Sequence, residues 1–204
     1  MLIETAYFPP VSWMACAKNH SSIRLEAWEH YQKGSWRNRC HIAGPNGMQR
    51  LSIPLKKGKH QQTLIRQVEI SYDEPWQTNH WRSICTAYGN APYFEHYAPA
   101  LEQFYIQKTP LLFDFNLQLL EWVLKQLGWK QAIQSTEQFE LEHQSEPDFR
   151  GIFNPNKPVP TSWQTPHYPQ VFTERFGFQA NLSVLDLLLC SGKQSNFILT
   201  LEDV

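Results

Sequence analysis

The alternation of apolar and polar positions changes period along the chain, and those changes predict its elements. Leu2 to Tyr7 predicts a first strand, stopped by Pro9 and Pro10. Ser12 is placed to cap a short helix through Lys18, with Trp13, Cys16 and Ala17 on one side. Ile23 to Trp28 predicts a second strand. Trp36 to Ile42 and Met48 to Ile53 flank Gly44-Pro45-Asn46-Gly47, whose Asn-Gly pair signals an antiparallel hairpin. Ile65 to Ile70 reads as a further strand. From Asp73, an expected N-cap with Pro75 in the first turn, the period becomes helical, and His80, Ile84, Ala87 and Tyr88 share one face up to Gly89. Pro92 to Glu95 reads as a connector. Helices are expected over Pro99 to Gln107 and over Pro110 to Leu127, the latter closed by Gly128 and burying Leu112, Phe115, Leu119, Trp122 and Val123.

Beyond this point the periodicity fades. Gln134 to Gln170 is rich in Glu, Gln, Pro and Asn and predicts a long irregular arm or lid, with one strand near Gln138 to Glu142. Asn181 to Cys190 predicts a final helix, with Ser183 and Asp186 at capping-box spacing, four leucines for burial and Gly192 as its stop. The expected fold is α/β: a mixed sheet with an antiparallel hairpin in the N-terminal third, then a helical segment and an irregular C-terminal arm. It divides a single domain into a core (1–133), an arm (134–170) and a docking C-terminal helix (171–204).

At 204 residues the chain can bury a core without disulfides or metals. A net charge of −1, with 18% charged residues, gives no broad footprint for nucleic acid or an anionic membrane, so a nucleic-acid partner is not expected. Cys16, Cys40, Cys85 and Cys190 form no Cys-x-x-Cys pair, which suits reduced thiols. The N-terminus carries Glu4 early and is broken by prolines, unlike a signal peptide, and no apolar run approaches membrane-spanning length; membrane insertion is not expected and a cytoplasmic location is. Eight tryptophans suit aromatic pocket walls as well as core packing.

The densest chemistry lies between Glu29 and Ile42. An extended Ser35 to Ile42 would put Trp36, Asn38, Cys40 and Ile42 on one face and Ser35, Arg37, Arg39 and His41 on the other. Asn38 would then need partners, because a buried amide without them costs about 1 to 3 kcal/mol. Lys33, Ser35 and Arg39 offer those partners or an anion site. The run reads either as a polar pocket floor gripping a phosphate, carboxylate or sugar, or as a hairpin with a structural asparagine and solvated cations. A pocket at the carboxyl end of the first strand would unite it with the turn at Tyr7 and with His80, Tyr88 and Asn90. In that pocket His80 and Tyr88 are the catalytic candidates, His80 having the intrinsic pKa of a general base. Tyr7, Tyr31, Lys33, Ser35, Trp36, Asn38, Arg39 and Asn90 are the ligand-binding candidates. The acids Glu26 and Glu29 read as surface charges or caps. No phosphate loop, Gly-x-Ser-x-Gly elbow or metal-binding motif is present, and no cofactor is indicated.

As an ordered set, Tyr-Phe-Pro-Pro at 7–10, Tyr-Gln-Lys-Gly-Ser-Trp-Arg-Asn-Arg at 31–39, the Asn46-Gly47 hairpin leading to Leu51 and Pro54, His80-Trp81 and Ala87 to Pro92 resemble the WbqC-like protein family. The resemblance runs from about residue 2 to Leu127 and returns at Asn181 to Leu189. It implies a bacterial protein associated in some members with O-antigen or other surface-polysaccharide gene clusters, where a glycine transferase role has been suggested. Such an enzyme would take an activated acyl donor and a sugar or nucleotide-sugar acceptor, with His80 as base and Ser35, Asn38 and Arg39 holding the donor or the oxyanion. The alternatives are a non-catalytic carbohydrate- or nucleotide-binding protein, with Tyr31, Trp36 and Trp81 stacking on the ligand, and a scaffold contacting glycan-pathway enzymes.

Overall fold

The structure is a computed structural model that describes residues 1–56, 62–139, 141, 146–164 and 166–200. Its centre is a parallel sheet of order β1-β2-β5, formed by β1 (Leu2–Glu4), β2 (Ser22–Glu26) and β5 (Ala132–Ser135). β1 pairs with β2 from Leu2↔Arg24 to Glu4↔Glu26, and β2 with β5 from Ser22↔Ala132 to Leu25↔Ser135. All three strands therefore end at one edge. A parallel bridge between Leu2 and Asp148 lays the segment around residue 148 along the free side of β1. The expected mixed α/β fold with an N-terminal hairpin is present.

Between β1 and β2 runs α1 (Val11–Lys18). Its N-cap is Pro10 instead of Ser12, which lies inside the helix. Its first amides find acceptors far along the chain: Val11 N–H donates to the Leu182 carbonyl and Ser12 N–H to Asn181 Oδ1, both at 3.0 Å or less. Helix starts need such partners, and here the C-terminal segment supplies them. β1 also ends at Glu4, short of the expected Tyr7, because the chain turns through a buried Phe8 with φ of 43°.

The hairpin of β3 (Arg39–Gly44) and β4 (Gly47–Ser52) closes on a Gly44↔Gly47 pair, leaving Pro45-Asn46 as the two-residue loop. The expected extension back to Trp36 is replaced by a 3-10 turn over Trp36–Asn38. Ser35 starts that turn by accepting from Arg37 N–H, so the face pattern expected for an extended 35–42 holds only from Arg39 onward. Nor is Ile65 to Ile70 a strand: Ile65–Gln67 is a 3-10 turn, flanked by isolated bridges at Leu64, Glu69 and Ile70. Burial at Ile65, Val68 and Ile70 follows a three-then-two spacing that fits a turn entering an extended stretch.

Three longer helices follow. α2 (Trp76–Tyr88) buries His80, Ile84, Ala87 and Tyr88 as the period predicts, with Pro75 at its N-cap. α3 (Phe94–Ile106) begins five residues before the expected Pro99 and runs through it; Pro99 and Glu95, whose carbonyl loses its helical donor there, are both exposed. α4 (Leu112–Leu127) ends on Gly128 at φ of 71°, the left-handed conformation glycine adopts without strain. Leu112, Phe115, Leu119 and Val123 are fully buried or nearly so, each contributing about 1.5 to 3 kcal/mol, while Trp122 is half-buried. After the short α5 (Thr173–Phe176), α6 (Val184–Ser191) is buried along its length, capped by Ser183 and stopped by Gly192, and α7 (Ser195–Ile198) follows.

Gln138, Phe139 and Leu141 form no strand; the rest of that expected element, and residues 57–60 of the basic run from Lys56 to His60, lie outside the described residues. All four cysteines are unpaired. Among the described residues no helix is long and apolar enough to cross a membrane.

Candidate functional site

The carboxyl edge of the parallel sheet carries an unusual density of acids. Glu4 and Glu26 are register partners at the ends of β1 and β2, so their side chains leave the sheet on the same face. Both are buried, Glu26 completely. Glu26 Oε1 accepts from Thr136 Oγ1 at 2.7 Å and from Trp28 N–H at 2.8 Å, and Oε2 accepts from Arg150 at 2.9 Å. Glu4 Oε2 accepts from Gly151 N–H at 2.9 Å. Burial pushes the Glu4 carboxyl above its ordinary range, opposed by nearby Arg37 and by that Gly151 bond.

From Glu26 the chain crosses the edge through Ala27 to Lys33, pinned by backbone bonds from Ile65 N–H to the Glu29 carbonyl (2.8 Å) and from Tyr31 N–H to the Thr63 carbonyl (2.9 Å). Glu29, expected at the surface, is only 6% exposed. Arg37, expected on a solvated face, is 1% exposed and grips Glu29 with two bonds, Nε to Oε1 at 2.7 Å and Nη2 to Oε2 at 2.5 Å. The corrections have one cause: a charge can be buried when a fork-shaped partner is buried with it. Burial raises the Glu29 carboxyl above its usual range, against the lowering effect of Arg37.

A cavity of about 720 Å³ opens on this edge. Trp28, Tyr31 and Phe139 give its aromatic walls; Glu29, His30, Lys33 and Arg150 give its polar ones, and Gly151 lines it as well. Trp28 is anchored by its indole N–H on the Thr136 carbonyl at 3.0 Å. Arg150 makes a bidentate pair with Asp148, reaches Glu26, and stacks 5.0 Å from the Phe139 ring. Ligand sites in open α/β sheets favour this edge.

Two of the sequence candidates, Tyr31 and Lys33, line the cavity. Tyr31 OH donates to Asn38 Oδ1 at 2.9 Å, and Asn38 Nδ2 donates to the Ile53 carbonyl at 2.9 Å, so the Asn38 amide has partners other than the expected Lys33, Ser35 and Arg39. Ser35 bonds the Gln32 carbonyl and caps the 36–38 turn. Trp36 is buried edge-on against His41, and Arg39 is half-buried at the start of β3.

Tyr7, Trp36 and His80 do converge, but within the core. Tyr7 N–H donates to the Trp36 carbonyl, and Tyr7 OH lies 3.0 Å from His80 Nδ1 and 2.7 Å from Tyr105 OH. The His80 ring also bonds the Ser52 carbonyl, and burial pushes it down to about 4, so it is neutral at pH 7. Tyr105 donating to Tyr7, and Tyr7 to Nδ1, satisfies the whole chain. Tyr88 is fully buried; its OH accepts from Ala43 N–H and donates to Asp186 Oδ1 at 2.7 Å. Asn90 is exposed at the end of α2. Neither His80 nor Tyr88 lines the cavity.

Glu4, Glu26, Glu29, Arg37 and Arg150 went unrecognised in the sequence. The available signal was two short strands, Leu2–Glu4 and Ser22–Glu26, each ending on a glutamate. Among the described residues no group of three or more His, Cys, Asp and Glu side chains is placed to hold a metal ion.

Fold and cleft define an α/β protein with an aromatic-walled, carboxylate-bearing cavity at the carboxyl edge of a parallel sheet. The chain belongs to the WbqC-like protein family, whose model it matches over residues 5–154, well over half its length and including Glu26, Glu29, Arg37 and Arg150. It is 30% identical over 113 residues to the uncharacterized protein Rv1507c of Mycobacterium tuberculosis (strain ATCC 25618 / H37Rv), a match covering 54% of this chain and 48% of that protein. The match thus spans about half the length of this curated relative. No solved structure matches the chain.

Proposed function

We propose that the protein is an acyl transferase, with glycine as the acyl group, acting on a sugar or sugar nucleotide held in this cleft during bacterial surface-polysaccharide (O-antigen) biosynthesis. The observation that carries the choice of site is the 720 Å³ cavity lined by Glu29, whose carboxylate is fixed by Arg37. Aromatic walls suit the C–H faces of a pyranose, and a buttressed carboxylate suits its hydroxyl groups. The reaction class comes from the family resemblance.

In this reading Glu29 accepts a proton from the acceptor as the acceptor attacks the acyl carbonyl; the tetrahedral intermediate then collapses and the donor's leaving group departs. A carboxylate raised by burial is a better base than a solvated one. Lys33, exposed at the rim, supplies positive charge for the oxyanion or the leaving group. Glu29 replaces His80 as the base because it lines the cavity while His80 is enclosed and engaged by Tyr7 and Ser52.

The test is incubation with glycyl thioester, glycyl phosphate or glycyl-tRNA and a panel of sugars and nucleotide sugars, read by mass spectrometry. A glycyl adduct formed by the native protein and lost in Glu29→Gln, with saccharide affinity retained, supports the reading. Saccharide binding with no product from any donor favours the second reading, a non-catalytic saccharide-binding protein. That reading is favoured by the engagement of both Glu29 oxygens with Arg37.

A further inference from the structure

The charged side chains at the cavity divide into those already matched and those left over. Every acid is matched: Glu29 is held by Arg37, Glu26 by Thr136, Trp28 and Arg150, and Asp148 by Arg150, while the Glu4 carboxyl accepts from Gly151 N–H. Three cations remain. Lys33, Arg39 and Arg66 take part in no ion pair among the described residues.

All three are tied to the crossing from Trp28 to Lys33. Lys33 lines the cavity and is exposed. Arg66, also exposed, holds its guanidinium carbon 4.4 Å from the Trp28 ring, and its backbone N–H donates to the Ala27 carbonyl at 3.4 Å. A guanidinium lying over a ring is held through its face and keeps its in-plane N–H groups for an acceptor. Arg39 stands near enough to Tyr31 for its charge to oppose the rise that burial imposes on the Tyr31 hydroxyl. Its Nε is buried and has no hydrogen-bond partner among the described residues. A buried charged donor in that state is costly, and an acceptor from outside the chain would relieve it. Glu29, in the same crossing, does not cancel these cations, because Arg37 already grips both of its oxygens.

Resting on the cleft assigned above, we infer that its ligand is phosphorylated, and that Lys33, Arg39 and Arg66 along the 28–33 crossing receive the phosphate or diphosphate group. A single carboxylate would match one of these cations, whereas a phosphate brings more oxygens and more charge to a lysine beside two guanidinium forks. The phosphate has two chemical sources in an acyl transfer of this kind: the diphosphate of a nucleotide-sugar acceptor, or the phosphate of an acyl phosphate donor.

The test is calorimetry on the purified full chain with UDP-glucose, acetyl phosphate and glucose. UDP-glucose binding at least about ten-fold tighter than both others supports the inference and assigns the phosphate to the acceptor; about ten-fold corresponds to one charge-assisted hydrogen bond. Acetyl phosphate as the tightest ligand supports it and assigns the phosphate to the donor. Arg66→Gln and Lys33→Gln, both at exposed positions and expected to melt as the native protein does, should each weaken the phosphorylated ligand about three- to ten-fold and leave glucose unchanged. Lys125→Gln, an exposed cation on α4, is the control for general electrostatic attraction and should change neither.

Equal affinity for UDP-glucose and glucose, with acetyl phosphate no tighter, overturns the inference and keeps a saccharide cleft. A tight phosphorylated ligand that Arg66→Gln and Lys33→Gln weaken no more than Lys125→Gln does also overturns it, since its phosphate then lies elsewhere. No binding by any of the three overturns the inference and the cleft assignment together.

Discussion

Two kinds of buried polar centre lie in this molecule, and they differ in whether their hydrogen bonds close. The hydroxyls of Tyr7 and Tyr105 and the His80 ring bond other protein groups, as do the groups that donate to Asp186 from Tyr88, Tyr168 and Gln170. At the carboxyl edge of the sheet, Glu29 and Arg150 are paired yet still face a cavity. A closed network specifies packing; an open one keeps acceptor capacity for something outside the chain. Sequence composition points to the closed centre, since it holds the histidine and tyrosines that catalysis often uses. Geometry points to the open one.

The largest effect should come from the partner that makes the open centre tolerable. Arg37→Met strands the Glu29 carboxylate in a buried site, and loss of one member of a buried pair costs about 3 to 5 kcal/mol. Urea unfolding at pH 7 measures it, and a loss below about 1 kcal/mol would mean that water reaches Glu29 freely. Next comes Asp186→Leu in the second closed network. It removes the acceptor of Tyr168 and one partner of Tyr88, which still receives Ala43 N–H. Leaving buried hydroxyls without acceptors should cost about 2 to 3 kcal/mol in the same assay. Ligand affinity at the cleft should stay unchanged, and a change there would join the two centres.

The pH response separates them further. The His80 pKa is lowered from 6.5 in the unfolded chain to about 4 in the folded protein. The unfolded state therefore binds more protons in that window, and the stability this residue contributes is present above pH 6.5 and lost as pH falls towards 4. Glu4, Glu29 and Asp186 have raised values, so protonation on acidification favours their folded state. Native protein minus His80→Gln should thus show a stability difference that shrinks by about 2 kcal/mol between pH 7 and pH 5. A pH-independent difference would mean that His80 is not held neutral.

How much was legible follows the same division. The hairpin was readable because Asn46-Gly47 is a local signal, and α2 and α4 because a helical stripe repeats within a few residues. The start of α3 was misplaced because proline is common in a first turn, and here it is tolerated on an exposed one. Ser12 was misread as a cap because its function is served by Leu182 and Asn181, some 170 positions away. The site was hidden for the same reason: Glu4, Glu26, Glu29, Arg37 and Arg150 meet through sheet register and through the Leu2 to Asp148 bridge. Tyr31 and Lys33 were found because they lie in the same short run as Glu29. Glu29 itself reads as a surface charge because an acid gives no sign, in sequence, of the guanidinium that buries with it.

The smallest expected effect gives the sharpest contrast between the centres. Phe139 is 48% exposed at the cavity rim, with Arg150 stacked on its ring. Exposed positions of this kind shift stability by about 0.5 kcal/mol or less, so Phe139→Ala should melt almost as the native protein does. Yet it removes one aromatic wall, and cleft affinity for a saccharide ligand should fall several-fold. Tyr105→Phe is its mirror image. It deletes one buried hydroxyl, leaving Tyr7 OH without its donor, at a cost of about 1 kcal/mol, and should leave cleft affinity untouched. Calorimetry and thermal melts on the two variants give four numbers. The open and closed assignments hold if affinity moves only for Phe139→Ala and stability mainly for Tyr105→Phe; the reverse pattern would exchange the roles of the two centres and return His80 to the centre of the chemistry.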